Sequence, residues 1–163
     1  MRAYVIFGGL ALVVVALTSL VIRKEGVLAH GTPVLLELAP VDPRSLMQGD
    51  YMVLNYAISQ ELQRRGNSPP DGHLVLHLDE LGVGRFLRRH EAGTPLQPGE
   101  FLLRYRVREG RVRLGAESFF FQEGHMGRYM GAKYGELRVQ EDGNSVLVGL
   151  RDAERRPMGV TGP

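Results

Sequence analysis

The chain contains no cysteine among its 163 residues. This absence excludes disulfide bonds, thiolate metal sites, cysteine nucleophiles and the acylated cysteine of a lipoprotein. It does not fix the compartment, because a domain of this size can fold in an oxidising compartment without disulfides.

Lysine is also scarce. Only Lys24 and Lys133 are lysines among 20 basic residues, and the net charge is only +2. Nucleic-acid binding calls for a larger excess of positive charge, with basic residues interleaved with aromatic ones on one surface. The segment 104–113 is the one candidate, and its arginines are interpreted as the solvent face of a hairpin. We therefore predict no nucleic-acid partner.

One long apolar run stands out. Residues Tyr4–Ile22 contain nineteen positions without a charge. A helix of that length spans about 28 Å, which matches the roughly 30 Å hydrocarbon core of a bilayer. A cleaved signal peptide is the competing interpretation, but its apolar region would be shorter, about 7–15 residues. The small-x-small site at residues 16–18 is poor and lies inside the run rather than after it, so we predict an uncleaved transmembrane anchor.

Charge gives a weaker indication of orientation. Arg2 and the amino terminus stand against Arg23, Lys24 and Glu25, which is close to a tie under the positive-inside rule. The very short N-terminal flank favours a cytoplasmic amino terminus and a C-terminal domain facing the periplasm or the outside.

The rest of the chain is predicted to be mainly β, a single compact domain that is either barrel-like or a sandwich. The predicted organisation is an anchor over residues 1–22, a linker over 23–32, the β domain over 33–152 and a flexible tail over 153–163. Alternation and turn residues predict strands at Pro33–Leu38, Tyr51–Ile58, His73–Leu78 and Phe101–Arg108, and hairpins centred on residues 109–110 and 142–144. Residues 58–65 are predicted to form a short helix, and residues 124–134 a short helix or an ordered loop.

The segment Gly49–Tyr56 reads G-D-Y-M-V-L-N-Y and matches the pattern G-D-Y-x-x-L-x-Y at every specified position. A second block includes residues 120–124, Tyr129 and residues 132–139. On these two blocks the chain resembles the bacterial GDYXXLXY family. The resemblance implies a small single-pass protein of the bacterial cytoplasmic membrane, of unassigned activity. It also implies a polytopic membrane protein as partner, and it names no reaction and no cofactor.

As a strand, the motif would turn Met52, Leu54 and Tyr56 to the core, and Tyr51 and Asn55 outward or toward the loop at 124–134. Gly49 would permit a tight turn, and the Asp50 carboxylate would accept hydrogen bonds from the backbone N–H groups of that turn. On this interpretation the motif is structural. The functional alternative is a polar, aromatic binding patch, a composition typical of protein interfaces. Its candidate residues are Arg44, Asp50, Tyr51, Tyr56, Glu123, Tyr129, Tyr134 and Glu136.

The interpretation favoured by the sequence is a non-enzymatic accessory subunit that docks on a polytopic membrane protein, with self-association left open. The alternative is an envelope ligand-binding domain or hydrolase acting on lipid headgroups or cell-wall fragments through Asp50, Glu123 and Glu136, assisted by Arg44 and Arg128.

No catalytic residue, metal ligand or cofactor is assigned. Residues 43–54 loosely resemble a signal-peptidase stretch, but they lack its serine nucleophile and its lysine base. His73 and His77 have the i, i+4 spacing of a helical zinc site, but they lie on a predicted strand, which would separate them by about 13 Å.

Overall fold

The computed structural model describes residues 2–40, 47–48, 51–66, 69–115 and 117–159. These residues form a mainly β protein, which confirms the predicted fold class at that level. The helices are α1 (Arg2–His30) and α2 (Ala57–Arg65), and a 3₁₀ turn covers Met126–Arg128. The strands are β1 (Thr32–Glu37), β2 (Met47–Gln48), β3 (Tyr51–Val53), β4 (Asp71–Leu78), β5 (Gly84–Arg89), β6 (Glu100–Arg108), β7 (Arg111–Arg113), β8 (Ser118–Phe120), β9 (Tyr134–Val139), β10 (Ser145–Arg151) and β11 (Pro157–Met158).

The strands pair antiparallel in three sheets, with orders β1-β9-β10-β11, β5-β4-β6-β7 and β2-β3-β8. Two isolated bridges tie them together. Leu35 on β1 pairs with Val83, just before β5, and its N–H donates to the carbonyl of Gly82 at 3.0 Å. Leu38 pairs with Tyr56, beyond β3. The sheets therefore curve around one core as half-barrels rather than lying as two separate layers.

The core forms because strands of all three sheets turn apolar side chains to the same side. On β9 the alternation is clean, with Leu137 and Val139 buried and Glu136 and Arg138 partly exposed. One cluster includes Val34, Leu36, Met52, Leu54, Tyr56, Ile58, Leu62, Leu74, Leu76, Leu103, Tyr105, Val112, Leu114, Leu137 and Leu150. This single core positions the loop between β8 and β9 at one end of the first sheet.

Helix α1 covers the predicted anchor and continues to His30, so most of the predicted linker is helical. Its end meets the β domain where Arg138 donates to the carbonyl of Gly31 at 3.3 Å. Apolar side chains along the helix are exposed, for example Ile6 at 68% and Leu12 at 71%. Judged on the described residues alone, no helix combines the length and the apolar character that a membrane crossing requires.

Two local predictions differ from the structure. The strand predicted over Tyr51–Ile58 ends at Val53, and α2 begins at Ala57, because Ile58 and Leu62 turn one helical face into the core. The helix predicted over residues 58–65 is confirmed. The segment predicted as a flexible tail contains β11, whose Met158 pairs with Leu150.

Candidate functional site

The three motif residues predicted to face the core are buried. Met52, Leu54 and Tyr56 are 2%, 2% and 1% exposed, while Asn55 is exposed. Burial, with a smaller contribution from the charge of Glu117, raises the pKa of Tyr56 far above its ordinary value. Because Tyr56 is enclosed, it cannot contribute to a surface patch, and its place among the candidate binding residues is corrected.

Tyr51 faces outward on β3, where it is paired with Phe120 of β8. The two ring centroids lie 5.6 Å apart, and the Phe120 side chain is 74% exposed. The two rings are tilted by 37° to each other, and Phe120 presents a preorganised apolar area to solvent. Tyr51 and Phe120 are held in place because the strands that carry them, β3 and β8, are hydrogen-bonded to each other.

Tyr129 lies buried beneath the two phenylalanines that flank Phe120. It is only 9% exposed, and its ring packs against Phe119 at 5.0 Å and Phe121 at 5.5 Å between centroids. Gly159 lies against it so closely that a Cβ there would sit 2.5 Å from the Tyr129 hydroxyl oxygen. Tyr129 therefore acts as the buried base of the loop between β8 and β9, not as an exposed contact residue.

A groove of about 530 Å³ opens beside this base. Two methionines of the same loop, Met126 and Met130, are 39% and 54% exposed. We call the whole region the aromatic surface, which comprises Tyr51, Phe120, Phe121, Met126 and Met130, with Tyr129 as its buried base. The groove itself is lined by Phe120, Phe121, Gln122, His125 and Tyr129. Three of these five side chains are aromatic, so the groove is suited to binding an apolar or aromatic partner.

Glu136 lies on the outer face of β9 and is already paired. Its Oε2 accepts a hydrogen bond from Arg151 Nε at 2.8 Å across the β9–β10 hairpin, with the two side chains 17% and 27% exposed. This hydrogen bond raises the pKa of Arg151. Tyr134, two residues earlier, stands opposite Glu37 and Arg151 in the same sheet. Both predicted residues therefore belong to the face of a sheet and are held by strand pairing.

The remaining candidates are more scattered. Glu123 and Arg128 are exposed in the loop between β8 and β9. Arg44 and Asp50 lie outside the described residues, so their place in the binding patch stays a prediction.

The histidines of β4 lie on a strand, as predicted. His77 Nδ1 is 3.1 Å from the carbonyl oxygen of Gly99, and the His73 ring stands edge-on to His90 at 6.5 Å. Within the described ranges no group of three or more histidine, aspartate or glutamate side chains is placed to hold a metal ion.

Two partners were not predicted from the sequence: Phe120, which packs against Tyr51, and Arg151, which pairs with Glu136. The available signal for the first was the run of three phenylalanines, Phe119–Phe121, directly before a glycine-rich loop.

The structure thus defines a small half-barrel β domain with an apolar N-terminal helix and an aromatic surface built around Tyr51. The family model described as GDYXXLXY protein matches residues 13–150, and the chain belongs to that family. No curated protein and no solved structure matches the chain.

Proposed function

We propose that this protein is a non-enzymatic, membrane-anchored accessory subunit. In this proposal α1 holds the β domain on the outer side of the bacterial cytoplasmic membrane, and the domain binds a polytopic membrane protein through the aromatic surface. The observation that carries the proposal is the exposed Phe120 ring packed against Tyr51 of the family motif.

Anchoring is supported by the uncharged run at Tyr4–Ile22 and by the exposure of its side chains. Phe7, Leu10, Val15 and Leu17 are each more than half exposed, although all are strongly apolar. An apolar surface of this extent needs a cover in water, and a bilayer or neighbouring helices supply one. The family match begins at residue 13, inside α1, so the family pattern includes part of this helix together with the domain.

Protein binding is supported by the composition and support of the aromatic surface. Tyrosine, phenylalanine and methionine are enriched at interface centres, and rigid aromatic side chains lose little conformational entropy on binding. Phe120 and Tyr51 are fixed by strand pairing, and the loop that carries Met126 and Met130 is fixed by buried Tyr129. The surface is therefore largely formed before a partner arrives, which reduces the cost of association.

Geometry narrows the region of the partner that is contacted. The loop between β8 and β9 enters β9 at Tyr134, whereas α1 joins the domain at Thr32, which is paired with Val139 at the other end of β9. Five residue steps along a strand separate these ends by about 17 Å. The aromatic surface would then lie away from the bilayer, so a loop or domain projecting from the partner would make the contact.

The alternative of an enzyme acting through Glu123 and Glu136 is not supported by the positions of these two side chains. Glu136 is engaged by Arg151, and the aromatic groove is lined without Glu123 or Glu136.

The test compares Phe120→Ser with Leu81→Ser in full-length protein purified from native membranes in mild detergent. Both side chains are exposed and apolar, at 74% and 55%, but Leu81 lies in the turn before β5. We expect one stoichiometric polytopic membrane protein with the wild type and with Leu81→Ser. Its recovery should fall at least about tenfold with Phe120→Ser, as expected at an interface hot spot.

Both variants should keep the wild-type melting temperature, since each removes an exposed side chain. Equal recovery by the two variants would show that the aromatic surface is not the docking site. Release of the full-length protein from membranes by alkaline carbonate would separately refute the anchor.

A further inference from the structure

Five arginines occupy the outer face of the β6–β7 hairpin. Arg106 is directly opposite Arg113, and Arg108 is directly opposite Arg111. The alternate positions Leu103, Tyr105 and Val112 are buried in the core. Like charges in directly opposed positions destabilise a strand pair, so packing of the hairpin alone does not account for this arrangement. The arginine face comprises Arg104, Arg106, Arg108, Arg111 and Arg113.

Among the described residues, no acidic side chain forms an ion pair with an arginine of this face. Asp71 of β4 stands directly opposite Arg106 of β6, and it too makes no ion pair within the described part of the chain. Asp142, in the β9–β10 turn, accepts hydrogen bonds from the main-chain and side-chain nitrogens of Asn144 at 2.9 and 2.6 Å. The guanidinium groups are therefore left available for an external anion.

The arginine face borders a cavity of about 390 Å³, closed on one side by the turn at residues 143–145. The Arg104 N–H donates to the carbonyl of Gly143 at 2.9 Å, and Ser145 Oγ donates to the carbonyl of Leu114 at 3.4 Å. Gly143 has φ +80°, and a Cβ there would lie 2.9 Å from His73 Cδ2. A glycine is thus required for the turn to approach β6, so this wall of the cavity is built into the fold.

The same turn meets the end of α1. Gly26 of α1 faces Gln140. A Cβ added to Gly26 would lie 3.8 Å from Gln140 Nε2. Gln140 and Gly143 are joined by a backbone hydrogen bond of 2.9 Å within the turn. The cavity of the arginine face and the C-terminal end of α1 therefore lie at one end of the domain, opposite the end that carries the aromatic surface.

We propose that the arginine face binds the phosphates of anionic lipid headgroups. The inference rests on the proposed anchoring by α1, which would bring this end of the domain to the bilayer surface. Guanidinium groups bind phosphate oxygens in a two-pronged geometry, and a phosphate placed among opposed arginines relieves their mutual repulsion. Arginines near an anionic surface also gain from its negative potential, which decays within about 10 Å at 0.1 M salt.

The test uses full-length protein reconstituted in vesicles of phosphatidylcholine, with or without 30 mol% phosphatidylglycerol (a composition of about one anionic lipid in three). Because the chain has no cysteine, Glu141→Cys supplies a single site for a fluorescent donor beside the cavity. Energy transfer to an acceptor on lipid headgroups then measures how closely this end of the domain approaches the bilayer.

We expect anionic lipid to increase the transfer, and Arg106→Gln/Arg113→Gln to lower the ratio of docked to undocked domain by about 25-fold. The matched control is Arg64→Gln/Arg65→Gln, which removes the same charge from exposed positions on α2, outside the cavity, and should behave as the wild type. Addition of 0.5 M salt (about five times the ionic strength at which the screening length is 10 Å) should reduce the wild-type transfer to that of the neutral vesicles.

Transfer that is independent of anionic lipid, or an equal loss in both double variants, would overturn the inference. Saturable binding of inorganic phosphate by the protein in neutral vesicles, without any response to anionic lipid, would also overturn it and assign the site to a free anion. Resistance of the vesicle-bound protein to alkaline carbonate is measured in parallel. Its loss identifies a failure of the anchor, whereas retention without lipid-dependent transfer identifies a failure of the arginine face alone.

Discussion

Gly135 of β9 lies against the ring of Tyr56, the last residue of the family motif. A Cβ at position 135 would be 3.0 Å from both Cε1 and the hydroxyl oxygen of Tyr56, and 3.4 Å from Leu147 Cδ1. The backbone of Gly135 is not in the left-handed region, so the penalty for a larger side chain is one of space only. We expect Gly135→Ala to push Tyr56 out of its buried position.

Overpacking of a tight core costs about 1–3 kcal/mol, and we take about 2 kcal/mol for one methyl group that meets two atoms of a fully buried ring. For a domain of this size the melting temperature should fall by about 5–10 °C. The assay is thermal unfolding of the full-length chain in mild detergent, followed by far-ultraviolet circular dichroism. Gly149→Ala is the control, because its Cβ would meet only Glu136 Oε2, at 3.9 Å.

Gly149→Ala should leave the melting temperature unchanged or raise it slightly, since alanine loses less entropy than glycine in a strand. Tyr56→Phe removes one of the two close contacts, so the double variant with Gly135→Ala should lose less stability than the sum of the single variants. A wild-type melting temperature for Gly135→Ala, or equal losses at positions 135 and 149, would refute the packing argument.

Two further predictions concern charged groups. The hydrogen bond from the Val83 N–H, together with Arg85, holds the pKa of Asp79 below its ordinary value of 3.8. A lowered folded-state pKa gives stability that is present above pH 3.8 and is lost as the pH falls through the folded-state pKa. The melting temperature of Asp79→Asn should therefore depend less on pH between about 2 and 5 than that of the wild type, and parallel profiles would contradict this. For the half-buried pair Glu136–Arg151, a double-mutant cycle with glutamine at each position should give a coupling of about 1 kcal/mol, whereas additive losses would show that the ion pair contributes nothing.

The sequence predicted those elements whose signal is local. Met52, Leu54 and Tyr56 alternate over a single motif, and the turns at residues 109–110 and 142–144 lie between clear strand patterns, so one short window was enough. Strand β5 (Gly84–Arg89) was missed because GRFLRR has three charges in six residues. It is a strand because β4 pairs with it, which is a long-range cause.

The site was harder to predict because it depends on register between distant segments. Tyr51 meets Phe120 through the β3–β8 pairing, and Tyr129 is buried by contacts with Phe119, Phe121 and the distant Gly159. Tyrosine is found both inside proteins and on their surfaces, so its type alone did not separate buried Tyr56 and Tyr129 from outward Tyr51. Glu136 looked free for the same reason, since its partner Arg151 is set by the bulged register of the β9–β10 hairpin.

The junction between α1 and β1 is short enough to couple the orientation of the helix to that of the β domain. Helix α1 ends at His30 and β1 starts at Thr32, so only Gly31 separates them, and Arg138 holds that residue from the neighbouring strand. A rotation of the helix is therefore transmitted to the domain instead of being absorbed by slack chain. For a tilt of about 20° acting over the length of β9, the aromatic surface would swing sideways by about 6 Å. In the anchored arrangement proposed above, such a displacement would shift the contacts with a partner, so the thickness of the bilayer would help to set which partner geometry the domain can reach.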